Sequence, residues 1–389
     1  MPFIGNKPTA IPLSANDLED NIISTAKIQD NAVTAAKYIE PIPFRNIIIN
    51  GDMSIAQRGT STASITADGY YTIDRMKTVC TTMGTWTQSQ STDVPTGQGF
   101  ANSLKMDCTT ADASPASGDV IRIQHRIEGL NLQYLKKGTS NAESTTVSFW
   151  VKSNKTGTYI IELYDVGNAR QISKSYTIDS ASTWEKKTIT FAGDTTGAID
   201  NDNSAGLQFG FYLGAGSNYT SGTLNTSWNS VTTANRAVGQ VNLADSTANE
   251  FFITGIQLEA GTTASDFEFL PVDVNLQRCL RYYEKKKATT NYGNYANGQC
   301  NSTTVGQFTA FCFLKRANPT ISFDTAGNFI AYSSVGGGLT ITSISAFDSQ
   351  PFSFGIVGNV ASGLVAGNST TLASNNNTNS FIEISSELW

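Results

Sequence analysis

The chain has 389 residues, of which 39% are hydrophobic and only 15% charged, the latter well under the roughly 25% of an average soluble domain. Its 26 Lys and Arg stand against 32 Asp and Glu, giving a net charge of −6, which argues against an electrostatically held nucleic-acid or membrane-surface partner. The length alone predicts about two or three domains, and the abundance of Gly, Ser, Thr and Asn over charged residues points to β-structure with many turns. The one histidine, His125, removes most imidazole-based acid, base and metal chemistry. Five cysteines (Cys80, Cys108, Cys279, Cys300, Cys312) include no C-x-x-C pair, a pattern that fits buried thiols in a reducing compartment rather than a disulfide framework. No signal-peptide pattern opens the chain, and no apolar run of about 18 residues occurs; neither signal-directed export nor membrane insertion is expected.

The first organised feature is a repeat of ten residues. Leu13, Ile23 and Val33 share one phase, Ser14, Ser24 and Thr34 the next, and Leu18, Ile28 and Tyr38 a third. An apolar residue, then a hydroxyl residue, then another apolar residue four positions on is the spacing of a capped and stapled helical turn. One such turn is not stable alone, and this spacing lines no continuous helix or strand face. The simplest cover is identical neighbouring chains, three copies wound about an axis into a trimer stalk through Leu13, Leu18, Ile23, Ile28, Val33 and Tyr38. The competing reading is a polar linker with accidental periodicity. Pro41 and Pro43 end the repeat, which sets a first segment at residues 1–44.

Beyond residue 45 the pattern alternates with period two. Val147, Phe149 and Val151 interleave with polar residues, as do Tyr159, Ile161 and Leu163, then Ile189 and Phe191, then Leu207, Phe209, Phe211 and Leu213. Short half-buried strands punctuated by Gly, Asn and Ser clusters predict an all-β sandwich or jelly roll. The stretch Asn46-Ile47-Ile48-Ile49-Asn50-Gly51-Asp52, with Tyr71-Thr72-Ile73-Asp74-Arg75, Ser148-Phe149-Trp150-Val151-Lys152, Phe252-Ile253-Thr254-Gly255-Ile256-Gln257-Leu258-Glu259 and Cys279-Leu280-Arg281-Tyr282-Tyr283-Glu284, resembles domains of bacteriophage tail fibres and receptor-binding proteins. The decads resemble fibre stalk repeats. The resemblance implies a carbohydrate-binding jelly roll of the galactose-binding type over residues 45–275, with residues 47–55 beside 251–259. Such modules often hold calcium near these ends, but Thr254 stands where an acidic residue is common, so no metal is assigned.

No familiar catalytic constellation is present: G-x-S-x-G, Walker A, H-E-x-x-H and G-x-G-x-x-G are all missing. Carboxylates for a glycosidase pair exist, among them Glu162, Asp165, Asp194, Asp200 and Asp202, but spacing does not pair them. The run Asp194–Asp202 reads as a turn in preference to a cation loop. Sugar binding asks for less: exposed rings for the apolar face of a pyranose, plus amides and carboxylates for its hydroxyls. Trp86, Tyr219, Trp228, Tyr292 and Tyr295 lie among polar residues and are the ligand-binding candidates.

Arg278 to Lys287 reads as a short cationic turn, a solvated hinge or subunit contact in preference to an anion site. Alternation then returns at 307–314, 320–323, 339–344, 352–356 and 381–384, predicting a distal β-sandwich over residues 276–389. The expectation is therefore a homotrimeric, non-enzymatic virion tail fibre, made in the bacterial cytoplasm, that needs no cofactor. Its expected partners are itself, other virion proteins through the N-terminus, and a host surface glycan. The alternatives are a virion adaptor or head fibre, and a capsule-degrading fibre using a carboxylate pair.

Overall fold

The computed structural model describes residues 44–333 and 337–389, in one compact unit. The stalk positions Leu13, Leu18, Ile23, Ile28, Val33 and Tyr38 lie outside the described residues.

The first sandwich opens with β1 (Ser61–Ile65), β2 (Gly69–Tyr70), β3 (Lys77–Thr81), β4 (Thr85–Ser91), β5 (Ser103–Thr110) and β6 (Val120–Glu128). It continues through β7 (Thr145–Ser153), β8 (Gly157–Asp165), β9 (Arg170–Ile178), β10 (Glu185–Phe191) and β11 (Ala205–Ala215). After the short helix α1 (Ser217–Thr220) come β12 (Asn229–Ser230) and β13 (Glu250–Ala260). The strands form a six-stranded sheet, β1-β4-β5-β13-β7-β10, and a seven-stranded sheet, β12-β9-β8-β11-β6-β3-β2, whose pairs are all antiparallel. This is a jelly-roll-type β-sandwich. The predicted strands at 147–151, 159–163, 189–191 and 207–213 fall in β7, β8, β10 and β11.

The core between the sheets is what the alternation prescribes. Val147, Phe149 and Val151 from one sheet meet Ile161, Leu163, Phe209 and Phe211 from the other, all essentially without exposure. Burying such side chains contributes about 1.5–3 kcal/mol each, enough in sum to fix which face of every strand points inward. The segment after Phe44 closes one end. Ile47 N donates to Leu258 O and Ile256 N to Gly51 O, so residues 47–51 lie along β13. A Cβ on Gly51 would stand 2.0 Å from the Ile256 carbonyl oxygen, which is why the Asn-Gly-Asp turn needs glycine there.

The chain then enters α2 (Val272–Leu280), β14 (Tyr283–Lys287), β15 (Asn294–Cys300), β16 (Val305–Phe311), β17 (Thr320–Phe323) and β18 (Phe329–Ser333). The last strands are β19 (Gly337–Thr340), β20 (Ser343–Gln350), β21 (Ser353–Asn359), β22 (Ser369–Ser374) and β23 (Phe381–Ser385). A three-stranded sheet, β14-β23-β17, and a seven-stranded sheet, β19-β18-β22-β15-β16-β21-β20, enclose a second core with Phe308, Phe329, Phe354, Ile382 and Ile384.

Two sequence expectations are corrected here. The run 339–344 is not one strand: Ile341 N donates to Phe329 O and Thr342 N to Asn359 O, so the chain crosses from β18 to β21 at that point. Residues 278–287 are not a solvated hinge but the end of α2 and all of β14. Arg281 grips Glu128 with two bonds of 2.7 Å, Tyr282 and Tyr283 are buried, and Cys279 and Tyr282 pack with Ile49, Ile55 and Leu388. Arg281 and Lys286 in that run sit against the buried carboxylates of Glu128 and Glu284.

Candidate functional site

The side chains that alternate with the core residues of the seven-stranded sheet of the first sandwich point to its outer face. Pairing aligns them in rows across the strands: Lys77, Gln124, Gly210, Glu162 and Ser173 in one, and Arg126, Gln208, Tyr164 and Gln171 in the next. Arg122 stands beside Tyr212 and Val79 in a third. The face is built of amides, guanidinium groups and phenol rings, whereas outward positions of the opposite sheet include Thr146, Ser148, Thr188 and Thr190.

One side of this face is roofed. The segment 216–242 lays Tyr219, Leu224 and Ala237 against Ile160, Tyr212, Val79 and Val120. Arg236 from that segment holds Glu162 with bonds of 2.8 and 2.7 Å, and Ser173 N donates to Asn225 O. At the opposite margin the C-terminal tail is fastened: Tyr70 OH donates to Leu388 O at 2.8 Å, and Trp389, 67% exposed, stands edge-on to Tyr70 with Lys77 Nζ 4.9 Å from its ring centroid. Between these margins lies Gly210, whose absent side chain leaves a hollow. A Cβ there would meet only Ile123 O, at 3.6 Å.

Several polar atoms of this face lack partners. Gln124 Nε2, both amide atoms of Gln171, Arg122 Nε and Asn225 Nδ2 are buried without a hydrogen bond. Buried polar groups are almost always paired, and each orphan costs about 1–3 kcal/mol. Arg126 Nε reaches Gln124 Oε1 at 3.4 Å, and Arg122 Nη1 reaches Tyr212 OH at 3.1 Å. Burial, followed by the charges of Arg126 and Arg122, lowers Lys77 against the pull of Asp68. Burial also lowers Arg126, with Tyr70 opposing and Arg122 reinforcing the shift. Chemically, the arrangement offers hydrogen-bond donors, positive charge and ring faces on a rigid strand platform.

The sequence candidates scatter. Trp86 is corrected outright: it has no exposure, sits in the first core, and donates Nε1 to Met83 O at 2.7 Å. Tyr295 is half-buried against the second core and donates to Ser380 O at 2.6 Å, while Tyr292 is exposed edge-on to Tyr332. Tyr219 belongs to the roof, and Trp228 donates to Ala192 O with Lys137 Nζ 3.9 Å from its ring. These five residues do not form one cleft. The carboxylates are similarly committed. Asp165 and Asp194 both bind Lys137 Nζ at 3.1 Å, and Arg170 adds two bonds to Asp194. Burial pushes Asp194 up, but Arg170, the Thr196 amide and Lys137 outweigh it and hold the carboxyl at about 2. His125 lies inward, its Nε2 accepting from Ile49 N at 3.4 Å, and burial followed by Arg75 and Arg278 keeps it well below the usual imidazole range. Among the described residues no cluster of three or more His, Cys, Asp or Glu is placed to hold a metal ion.

The residues of the outer face went unselected in the sequence, although a signal was there. In Ile121-Arg122-Ile123-Gln124-His125-Arg126-Ile127 every outward position carries a long hydrogen-bond donor, Arg122, Gln124 and Arg126, whereas Thr188 and Thr190 flank Ile189 in the strand predicted there.

No family model matches the chain, and no curated protein matches it. Among solved structures it is similar to the enzymatically active domain of tailspike protein 4 of bacteriophage CBA120, at 14% identity over 56% of this chain and a TM-score of 0.29; the match spans only 22% of that chain. It is also similar to the carbohydrate-binding module TmCBM61 in complex with β-1,4-galactotriose, at 11% identity over 56% of this chain and 99% of the module, TM-score 0.27. A third is the family 11 carbohydrate-binding module of the Clostridium thermocellum cellulase Lic26A-Cel5E, at 12% identity over 56% of this chain and 96% of the module, TM-score 0.26. Overlaps this loose define no class, and the sandwich described above stands on the chain's own strand order.

Proposed function

We propose that this chain is a structural tail fibre of a bacteriophage virion that attaches to its host by binding bacterial surface polysaccharide as a homotrimer. In this reading the decads of residues 1–44 are the trimer stalk and contact other virion proteins, the first sandwich is the galactose-binding-like module that carries the glycan, and no bond is cleaved. The observation that carries the sugar-binding part is the outer sheet face between the roof and the C-terminal tail, where unpartnered buried amides and guanidinium groups lie near the exposed Trp389 and the space beside Gly210. Sugars supply what those atoms lack, a dense array of donors and acceptors with one apolar face. Weak single sites suffice when three are linked, because linkage raises effective concentration.

The test has two arms. Sedimentation equilibrium of the full chain is expected to give three times the mass of 41.6 kDa; a monomer overturns the stalk. Incubation with polysaccharide from susceptible bacteria is expected to give saturable binding with no shortening of the polymer. Shortened product would favour the capsule-degrading alternative, and neither binding nor cleavage would favour a virion adaptor.

A further inference from the structure

The outer face carries more positive charge than the protein around it uses. Its cations are Lys77, Arg122, Arg126 and Arg236. Of the carboxylates facing them, Glu162 is taken up by Arg236 at 2.7 Å and Arg122 at 3.5 Å, and Asp68 pairs with Lys77 at 3.4 Å. Arg126 has no carboxylate within ion-pair reach among the described residues, and its side-chain contact is the neutral oxygen of Gln124. This happens in a chain whose overall charge is −6, so the surplus is local and directed.

The surplus extends to hydrogen bonding. Gln124 is 1% exposed, flanked on its own strand by Arg122 and Arg126 and across the pair by Lys77, and its Nε2 has no acceptor. Arg122 Nε is likewise a buried donor without an acceptor. A neutral sugar hydroxyl brings a donor with each acceptor, whereas an ionised carboxylate is acceptor-only and matches the planar guanidinium fork. Trp389 at the margin, beside Tyr70 and Lys77, offers an exposed ring next to this positive end.

We propose that this face selects an acidic saccharide, with a uronate-type carboxylate seated between Arg126, Arg122 and Lys77 over Gln124, its ring lying toward the Gly210 hollow and an adjoining sugar toward Trp389. The inference rests on the glycan-binding reading above and narrows it to a ligand class.

The experiment uses the full chain and an array of bacterial polysaccharides that are neutral, uronate-bearing or phosphodiester-bearing, each uronate member paired with its carbodiimide-reduced, neutral counterpart. Binding is expected on uronate members, weakening with salt and falling about tenfold or more on carboxyl reduction, the order expected for losing a charge-assisted pair. Arg126→Gln is expected to lose a similar factor on the native polymer and nothing further on the reduced one. Carboxyl reduction alters only the ligand, so this arm holds whatever the variant does to folding. Equal binding before and after reduction, or binding confined to neutral or phosphodiester members, overturns the inference while the glycan reading survives. No binding to any member overturns both.

Discussion

Glu387→Ala should unlatch the C-terminal tail from the first sandwich. Arg75 and Glu387 form an ion pair in which neither side chain has any exposure. Arg75 also donates to Arg126 O and lies 3.5 Å from the Tyr282 ring centroid, and Arg58 reaches the other Glu387 oxygen at 3.3 Å. Removing the carboxylate leaves a guanidinium with no solvent exposure and only a carbonyl and a ring to replace its partner. Breaking one side of a buried pair costs about 3–5 kcal/mol. Glu387→Gln keeps an acceptor without the charge and should cost about 1–3 kcal/mol. Urea denaturation followed by tryptophan fluorescence measures both, and the double variant Arg75→Met with Glu387→Met should recover much of the loss because the buried Arg75 charge is gone while Arg58 keeps Asp74 at 4.0 Å. A Glu387→Ala protein within about 1 kcal/mol of the parent would refute the buried latch.

Gly51→Ala drives a methyl group to 2.0 Å from Ile256 O; the 47–51 segment must lift from β13, with a loss of about 2–4 kcal/mol in chemical denaturation. Burial raises the Asp74 carboxyl to about 6, against the lowering pull of Arg58 and Gln57, from an ordinary value of 3.8. The native state therefore holds this proton more tightly than the unfolded chain. That contribution is complete below pH 4 and is lost as pH rises through 6, up to about 3 kcal/mol, and Asp74→Asn should flatten that part of the stability profile. Asp194 has the opposite sign: its carboxyl is held at about 2, so its contribution is complete above pH 4 and disappears as pH falls toward 2, a slope that Asp194→Asn removes.

The fold was largely written in alternation. Val147, Phe149 and Val151 could face only a core, and they do. The aromatic candidates failed for a reason the sequence does not carry. Trp86 has polar neighbours because they point to the other side of β4, not because the ring is exposed. Polar flanks in a strand report the opposite face, so they say nothing of the residue between them. The outer-face site was hidden differently. Arg122, Gln124, Gln208, Tyr164 and Gln171 come from four strands far apart in the chain, and only the register of β6, β11, β8 and β9 sets them side by side. Trp389 reaches that face through the latch at Glu387, a long-range contact with no local signature.

The central claim, that the outer sheet face receives the glycan, is tested most directly at Gly210. The Cβ of an alanine there meets only Ile123 O at ordinary contact distance, so folding should be unchanged or gain about 0.4–1 kcal/mol from a stiffer unfolded chain, while the methyl group takes up the space beside the strand. Titration with the polysaccharide of a susceptible host should saturate the parent protein and lose about tenfold in affinity with Gly210→Ala at an undiminished melting temperature. Equal affinity in the two proteins would place the glycan elsewhere and contradict the account.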